Sequence, residues 1–88
     1  MPAYTLILSP AFRRDPEALP ARVHDDVVAA LKELERAPKG PSPKIKKLKG
    51  TSIGQWRLEV WPYRVRYDVV GHEVHLYRVR HRKEIYRD

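Results

Sequence analysis

Arg57, Glu59, Arg64 and Arg66 occupy alternate positions in two short segments, Trp56-Arg57-Leu58-Glu59-Val60 and Tyr63-Arg64-Val65-Arg66-Tyr67. A third segment runs into Arg78, Arg80, His81, Arg82 and Tyr86, adding cations, an imidazole and a phenol. If the alternation is that of strands, Trp56, Leu58, Val60, Val65 and Tyr67 face a core, and the charged residues share the opposite face. Opposed side chains on antiparallel neighbours lie ~5 Å apart, so one carboxylate and two or three guanidiniums would crowd a small area. Such an area is either a cross-strand salt-bridge ladder on a solvated sheet or a surface that holds a phosphodiester chain. Exposed ion pairs contribute only ~0–1 kcal/mol each, so stability is a weak reason for so many charges.

The distribution of charge favours the second reading. The 88-residue chain has a net charge of +7 and an isoelectric point near 10.0. Residues 39–88 carry 13 Lys and Arg against 5 Asp and Glu, a local +8, whereas residues 1–38 carry 5 against 6. A polyanion or an acidic protein is the expected partner. One small domain, residues 1–88, with a single thin core is expected at this length. The absence of Cys excludes disulfides and thiolate chemistry. No apolar run approaches the ~18 residues of a membrane span, and the opening residues lack a signal-peptide pattern. A cytoplasmic protein without membrane contact is the expectation.

The elements that must position these side chains follow from periodicity. Tyr4–Leu8 reads as a strand, and Ser9-Pro10 as the cap and first residue of a short helix. Val23, Val27, Ala30, Leu31 and Leu34 make one stripe of a helix over Pro20–Ala37, which Pro38 and Gly40 stop. Pro38–Gly50, with three Pro, two Gly and five Lys, reads as a basic loop. Strands are expected over Gln55–Trp61, Tyr63–Val70 and Glu73–Arg80. The faces of the last are ambiguous, because Val74 and Leu76 have the parity of Arg78 and Arg80. The order β-α-α-β-β-β predicts an α+β domain with helices on one face of a mainly antiparallel sheet.

Lys47-Leu48-Lys49-Gly50, WRLEV at 56–60, YRVRY at 63–67 and His81-Arg82-Lys83-Glu84-Ile85-Tyr86, after the Tyr-x-Leu-x-Leu-Ser-Pro-x-Phe opening, resemble the RelE/ParE toxin superfamily of bacterial toxin–antitoxin modules. The resemblance covers essentially the whole chain. It implies a compact toxin relieved by a cognate antitoxin, and one of two targets. RelE-like members cleave mRNA in the ribosomal A site; ParE-like members inhibit DNA gyrase and lack the nuclease residues. Closer likeness to the RelE-like nucleases implies a ribosome-dependent endoribonuclease. The alternatives are a gyrase inhibitor and a catalytically degenerate basic protein that only pairs with its antitoxin.

Carried over residue by residue, the resemblance matches Arg57 to a lysine position and Arg64 to the third-strand arginine. Arg82 and Tyr86 match a terminal arginine and tyrosine. Glu59 departs from the pattern, replacing a lysine thought to act as base. Metal-free RNA cleavage needs a base for the 2′-OH, an acid for the 5′-oxygen and cations for the phosphorane. A carboxylate among arginines suits the first task, and an imidazole, ordinarily titrating at ~6.5, suits the second. The expected assignment is Glu59 as base, His81 or Arg82 as acid or stabiliser, Arg57 and Arg64 as phosphate clamps, and Tyr86 against a nucleotide. Lys44, Lys46, Lys47, Lys49, Arg66, Arg78 and Arg80 are expected to bind the RNA or ribosomal RNA backbone without reading sequence. His72 and His75 have no third ligand suggested, so neither metal nor cofactor is expected. The antitoxin should be acidic or carry an amphipathic helix.

Overall fold

A strand of β-branched and apolar residues, Thr5–Leu8 (β1), leads into a short helix, Pro10–Arg14 (α1). The computed structural model describes residues 3–14 and 19–85. Ser9 caps α1 as its sequence suggests: its Oγ accepts from the Phe12 N–H at 3.0 Å. The same hydroxyl donates to the Tyr77 carbonyl at 2.7 Å, which pins α1 to the last strand. The long helix, Ala21–Leu34 (α2), starts after Pro20 and stops three residues short of Ala37. Its end is a tight turn in which Arg36 and Ala37 donate to the Glu33 carbonyl. Val27 and Leu34 are fully buried, with Val23, Ala30 and Leu31 packed beside them, so the apolar stripe is the buried face.

Four further strands complete a five-stranded mixed sheet: Ile45–Lys47 (β2), Trp56–Val60 (β3), Tyr63–Val70 (β4) and Glu73–His81 (β5). The order is β1-β5-β4-β3-β2, with β1 parallel to β5 and every other pair antiparallel. A four-residue helix, Arg82–Ile85 (α3), follows β5. The α+β architecture and the helical layer on one sheet face agree with the sequence reading. The basic loop needs correction: it carries the edge strand β2, paired to β3 through Ile45↔Leu58, Lys46↔Arg57 and Lys47↔Trp56. Prolines exclude this segment from a sheet centre but not from an edge, where lysines also discourage pairing with another chain. The loop before β2 is anchored by the buried Tyr67 hydroxyl, which donates to the Pro38 carbonyl at 2.6 Å. Burial of that phenol pushes its pKa well above the ordinary tyrosine value.

Phe12, Val27 and Leu34 from the helices meet Leu58, Val65, Tyr67, Val74, Leu76 and Val79 from the sheet. Leu76 and Val79 both face this core although their positions differ by an odd number. A β-bulge explains how. Tyr67 pairs with Leu76 and Arg66 with Arg78, so Tyr77 is the extra residue on β5. The bulge inverts side-chain parity along the strand. Val74 and Leu76 stay in the core, while Arg78 and Arg80 cross to the other face. Without Tyr77 as an insertion, those two guanidiniums would point at the helices.

Candidate nucleic-acid interface

Strand register gathers the charged residues into two rows on the face away from α1 and α2. The first row runs Lys46, Arg57, Arg66, Arg78 across β2, β3, β4 and β5. It contains no acid. Like charges placed directly opposite one another destabilise a sheet by ~0.2–1 kcal/mol per pair, a cost that a bound anion would offset. The second row is Glu59, Arg64, Arg80. Arg57, Glu59, Arg64, Arg66, Arg78 and Arg80 therefore share one surface.

Within the second row the geometry is specific. Arg64 donates to Glu59 Oε1 through Nε at 3.2 Å and Nη2 at 3.1 Å. Arg64 is 7% exposed, the one charged residue buried in the described core. Both contacts fall on one carboxylate oxygen. Among the described residues Oε2 accepts no hydrogen bond. Close by in sequence, Arg57 has a buried Nε with no acceptor among the described residues. A buried donor without a partner costs ~1–3 kcal/mol, more when charged, and an acceptor oxygen brought to this face would relieve that cost.

Arg66 serves a different end. Its Nε donates to the Gly54 carbonyl at 2.8 Å, and its neighbour on the same face, Asp68, accepts from the Gly54 and Gln55 N–H groups at 2.9 and 2.7 Å. Tyr77, the bulged residue, donates its hydroxyl to Asp68 at 2.8 Å. Burial would raise the Asp68 pKa, but the two backbone N–H groups, the Tyr77 hydroxyl and the Arg66 charge outweigh it and hold it below the ordinary value. The Tyr77 phenol is shifted up by burial first and by the adjoining carboxylate second. Arg66, Asp68 and Tyr77 together tie the β2–β3 loop and the bulge to the face. Asp68 and Tyr77 were not singled out from sequence; an acid in a basic strand beside an out-of-phase tyrosine is the available signal.

The remaining candidates are dispersed. Lys47 lies on the core-side parity, its Nζ 5.9 Å from the Trp56 ring centroid. The Lys44 carbonyl accepts from the Glu59 N–H at 2.8 Å, and Lys49 is exposed beyond β2. His81 pairs with Tyr63, its ring edge-on to the phenol at 5.3 Å, and has the parity of Val79. The register thus separates it from Glu59 and Arg64. Its Nδ1 accepts from the Lys83 N–H at 3.2 Å. The Arg82 guanidinium stacks on Trp61, 4.5 Å from the ring centroid, an aromatic partner that sequence reading passed over. Tyr86 lies outside the described residues.

A family model described as the ParE toxin of type II toxin–antitoxin systems (parDE) matches residues 6–86. The chain is 30% identical to a chain of the toxin–antitoxin complex RelBE2 from Mycobacterium tuberculosis, covering 92% of this chain and 99% of that one, with a TM-score of 0.74. It is 27% identical to a chain of the RelB–RelE antitoxin–toxin complex from Methanococcus jannaschii, covering 91% and 94%, with a TM-score of 0.73. The archaeal RelE–RelB complex from Pyrococcus horikoshii OT3 shares the fold at 22% identity, TM-score 0.76, over 91% and 96% of the two chains. No curated protein matches.

Proposed function

The chain belongs to the ParE toxin family, within the RelE/ParE superfamily of type II toxin–antitoxin systems; ParE-like members inhibit gyrase, but from the charged sheet face and the likeness to RelE-type chains we propose that this chain is a ribosome-dependent endoribonuclease. The observation that supports the reading is the Glu59–Arg64 pair set among Arg57 and Arg80 on one sheet face. In the proposed reaction Arg57 and Arg64 hold the non-bridging oxygens of the scissile phosphate. Glu59 Oε2 withdraws the 2′-OH proton as that oxygen attacks phosphorus, and the bond to the 5′-oxygen breaks. The products are a 2′,3′-cyclic phosphate and a 5′-hydroxyl. Because His81 faces the other way, the leaving oxygen takes its proton from water in the site, while Arg80 and Arg82 offset the developing charge. The ribosome supplies the positioning that an 88-residue domain has little surface to provide. The cognate antitoxin, acidic or with an amphipathic helix, is the proposed inhibitory partner; the chains matched at 27% and 30% identity come from toxin–antitoxin complexes.

The test is a cell-free translation reaction given purified protein, with mRNA 5′-ends mapped by primer extension. New ends at A-site codons are expected. Intact mRNA with gyrase supercoiling inhibited would replace this reading with a gyrase-directed toxin, and neither effect would leave an antitoxin-pairing protein.

A further inference from the structure

Trp61, in the turn between β3 and β4, is 64% exposed, unusual for so large an apolar side chain. The turn is fixed from behind: the Arg82 N–H donates to the Pro62 carbonyl at 2.9 Å, while the Arg82 guanidinium stacks on the indole. Trp61 also lines a groove of about 430 Å³ between the sheet edge and α2, with Lys44, Glu59 and Val60 on one side and Asp26, Ala30 and Glu33 on the other. This volume falls in the range of small-ligand sites, ~300–1,000 Å³.

We propose that this groove receives an unpaired nucleobase of single-stranded RNA, with Trp61 as its stacking platform. The inference rests on the RNA reading above and adds a binding site to it. Three features point to a base and not to backbone or peptide. The indole and Val60 offer an apolar, planar-compatible wall. Asp26 and Glu33 on the α2 side outnumber the single lining cation, Lys44, so that wall disfavours phosphate and accepts hydrogen bonds from amino and imino groups of a heterocycle. Glu59 and Val60 are consecutive residues of β3, so the groove borders the strand that carries Arg57, and a nucleotide can seat its base in the groove with its phosphate reaching round to the arginine face. Stacking of this kind is sequence-tolerant, and carboxylates on the rim would favour bases bearing an amino group.

Two ribosome-free binding measurements decide it. Tryptophan emission is titrated with a short single-stranded RNA and with an abasic strand of equal length, and the affinity of labelled RNA is read by anisotropy. The RNA should quench emission saturably in the wild type and the abasic strand far less. Trp61→Ala should abolish the quench, leaving Trp56 emission unchanged by RNA, and weaken binding about 5- to 100-fold. Trp61→Phe should bind within a few-fold of wild type. Equal affinity of Trp61→Ala and wild type for RNA would overturn the platform, as would equal quenching by the abasic strand. If Trp61→Ala loses antitoxin affinity and keeps RNA affinity, the groove belongs to a protein partner and the proposal fails. A wild type that cuts no mRNA yet shows base-dependent quenching loses the nuclease reading and keeps this one; a nuclease whose KM is unchanged by Trp61→Ala does the reverse.

Discussion

Glu59 and Arg64 are Cα partners across β3 and β4, and their pairing is asymmetric: 8% of the Arg64 side chain is exposed against 29% of the Glu59 side chain. The cation is the buried, fixed member, and the acid is the accessible one. An arginine that merely neutralised a surface acid would have no reason to be the deeper partner. Arg64→Lys keeps the charge but loses the two-pronged contact, because an ammonium cannot reproduce the guanidinium fork. It should retain the fold, with thermal unfolding shifted by no more than about 8 °C, while mRNA cleavage falls at least about ten-fold. Primer extension alongside calorimetry would separate the two.

His81 should matter far less than Glu59. It stands opposite Tyr63 on the core-side parity, away from the paired acid. His81→Ala should lower the cleavage rate by less than about ten-fold, below the ~10²–10⁴ that a positioned acid or base contributes. A loss as large as that from removing Glu59 would restore His81 as the acid.

The β2–β3 loop makes a prediction about stability. Gly54 has φ +67°, and a Cβ there would lie 3.3 Å from Arg66 Nε, the atom that binds its carbonyl; Gly71, at φ +59°, has open space around it. Gly71→Ala should cost ~1 kcal/mol from the left-handed backbone alone. Gly54→Ala should cost more, because the Arg66 tether must also shift. Urea unfolding of the two variants gives the comparison, and equal losses would remove Arg66 as a tether.

Asp68 sets an acid limit. Its folded pKa is below the ordinary 3.8, so the unfolded chain binds the proton more tightly. Its contribution is fully present above that ordinary value and is lost as pH falls through the folded one. Wild-type unfolding temperature should therefore drop more steeply below pH ~4 than that of Asp68→Asn. Parallel curves for the two proteins would contradict the assignment.

Binding to RNA should weaken with salt in proportion to the cations engaged. Removing Lys46 and Arg57 together should reduce the log–log salt slope by about 1.4, at ~0.7 per phosphate contact on single strands. An unchanged slope would place those contacts elsewhere.

Much of this was legible in the sequence because pleat alternation is a strong signal. Arg57 and Glu59 against Leu58, and Arg64 and Arg66 against Val65 and Tyr67, define the shared face by parity alone. Ser9 and the stripe of α2 were equally plain. The last strand was not, because a bulge at Tyr77 inverts parity midway and leaves no mark that period counting detects. Strand β2 was hidden among prolines and lysines, with Ile45 its single apolar residue. The tethering role of Arg66 depends on a loop carbonyl twelve residues away, which only the fold brings near. Trp61 reads from sequence as one more apolar residue at a strand end; its exposure and its stacking with Arg82 come from the turn.

The sharpest test replaces one atom of Glu59. Glu59→Gln retains the shape and an acceptor for Arg64 but cannot take the 2′-OH proton. With folding checked by thermal unfolding, its cleavage rate at A-site codons in a translating extract should fall ~10²–10⁴-fold. An undiminished rate in a folded Glu59→Gln protein would show that the carboxylate is only a partner for Arg64.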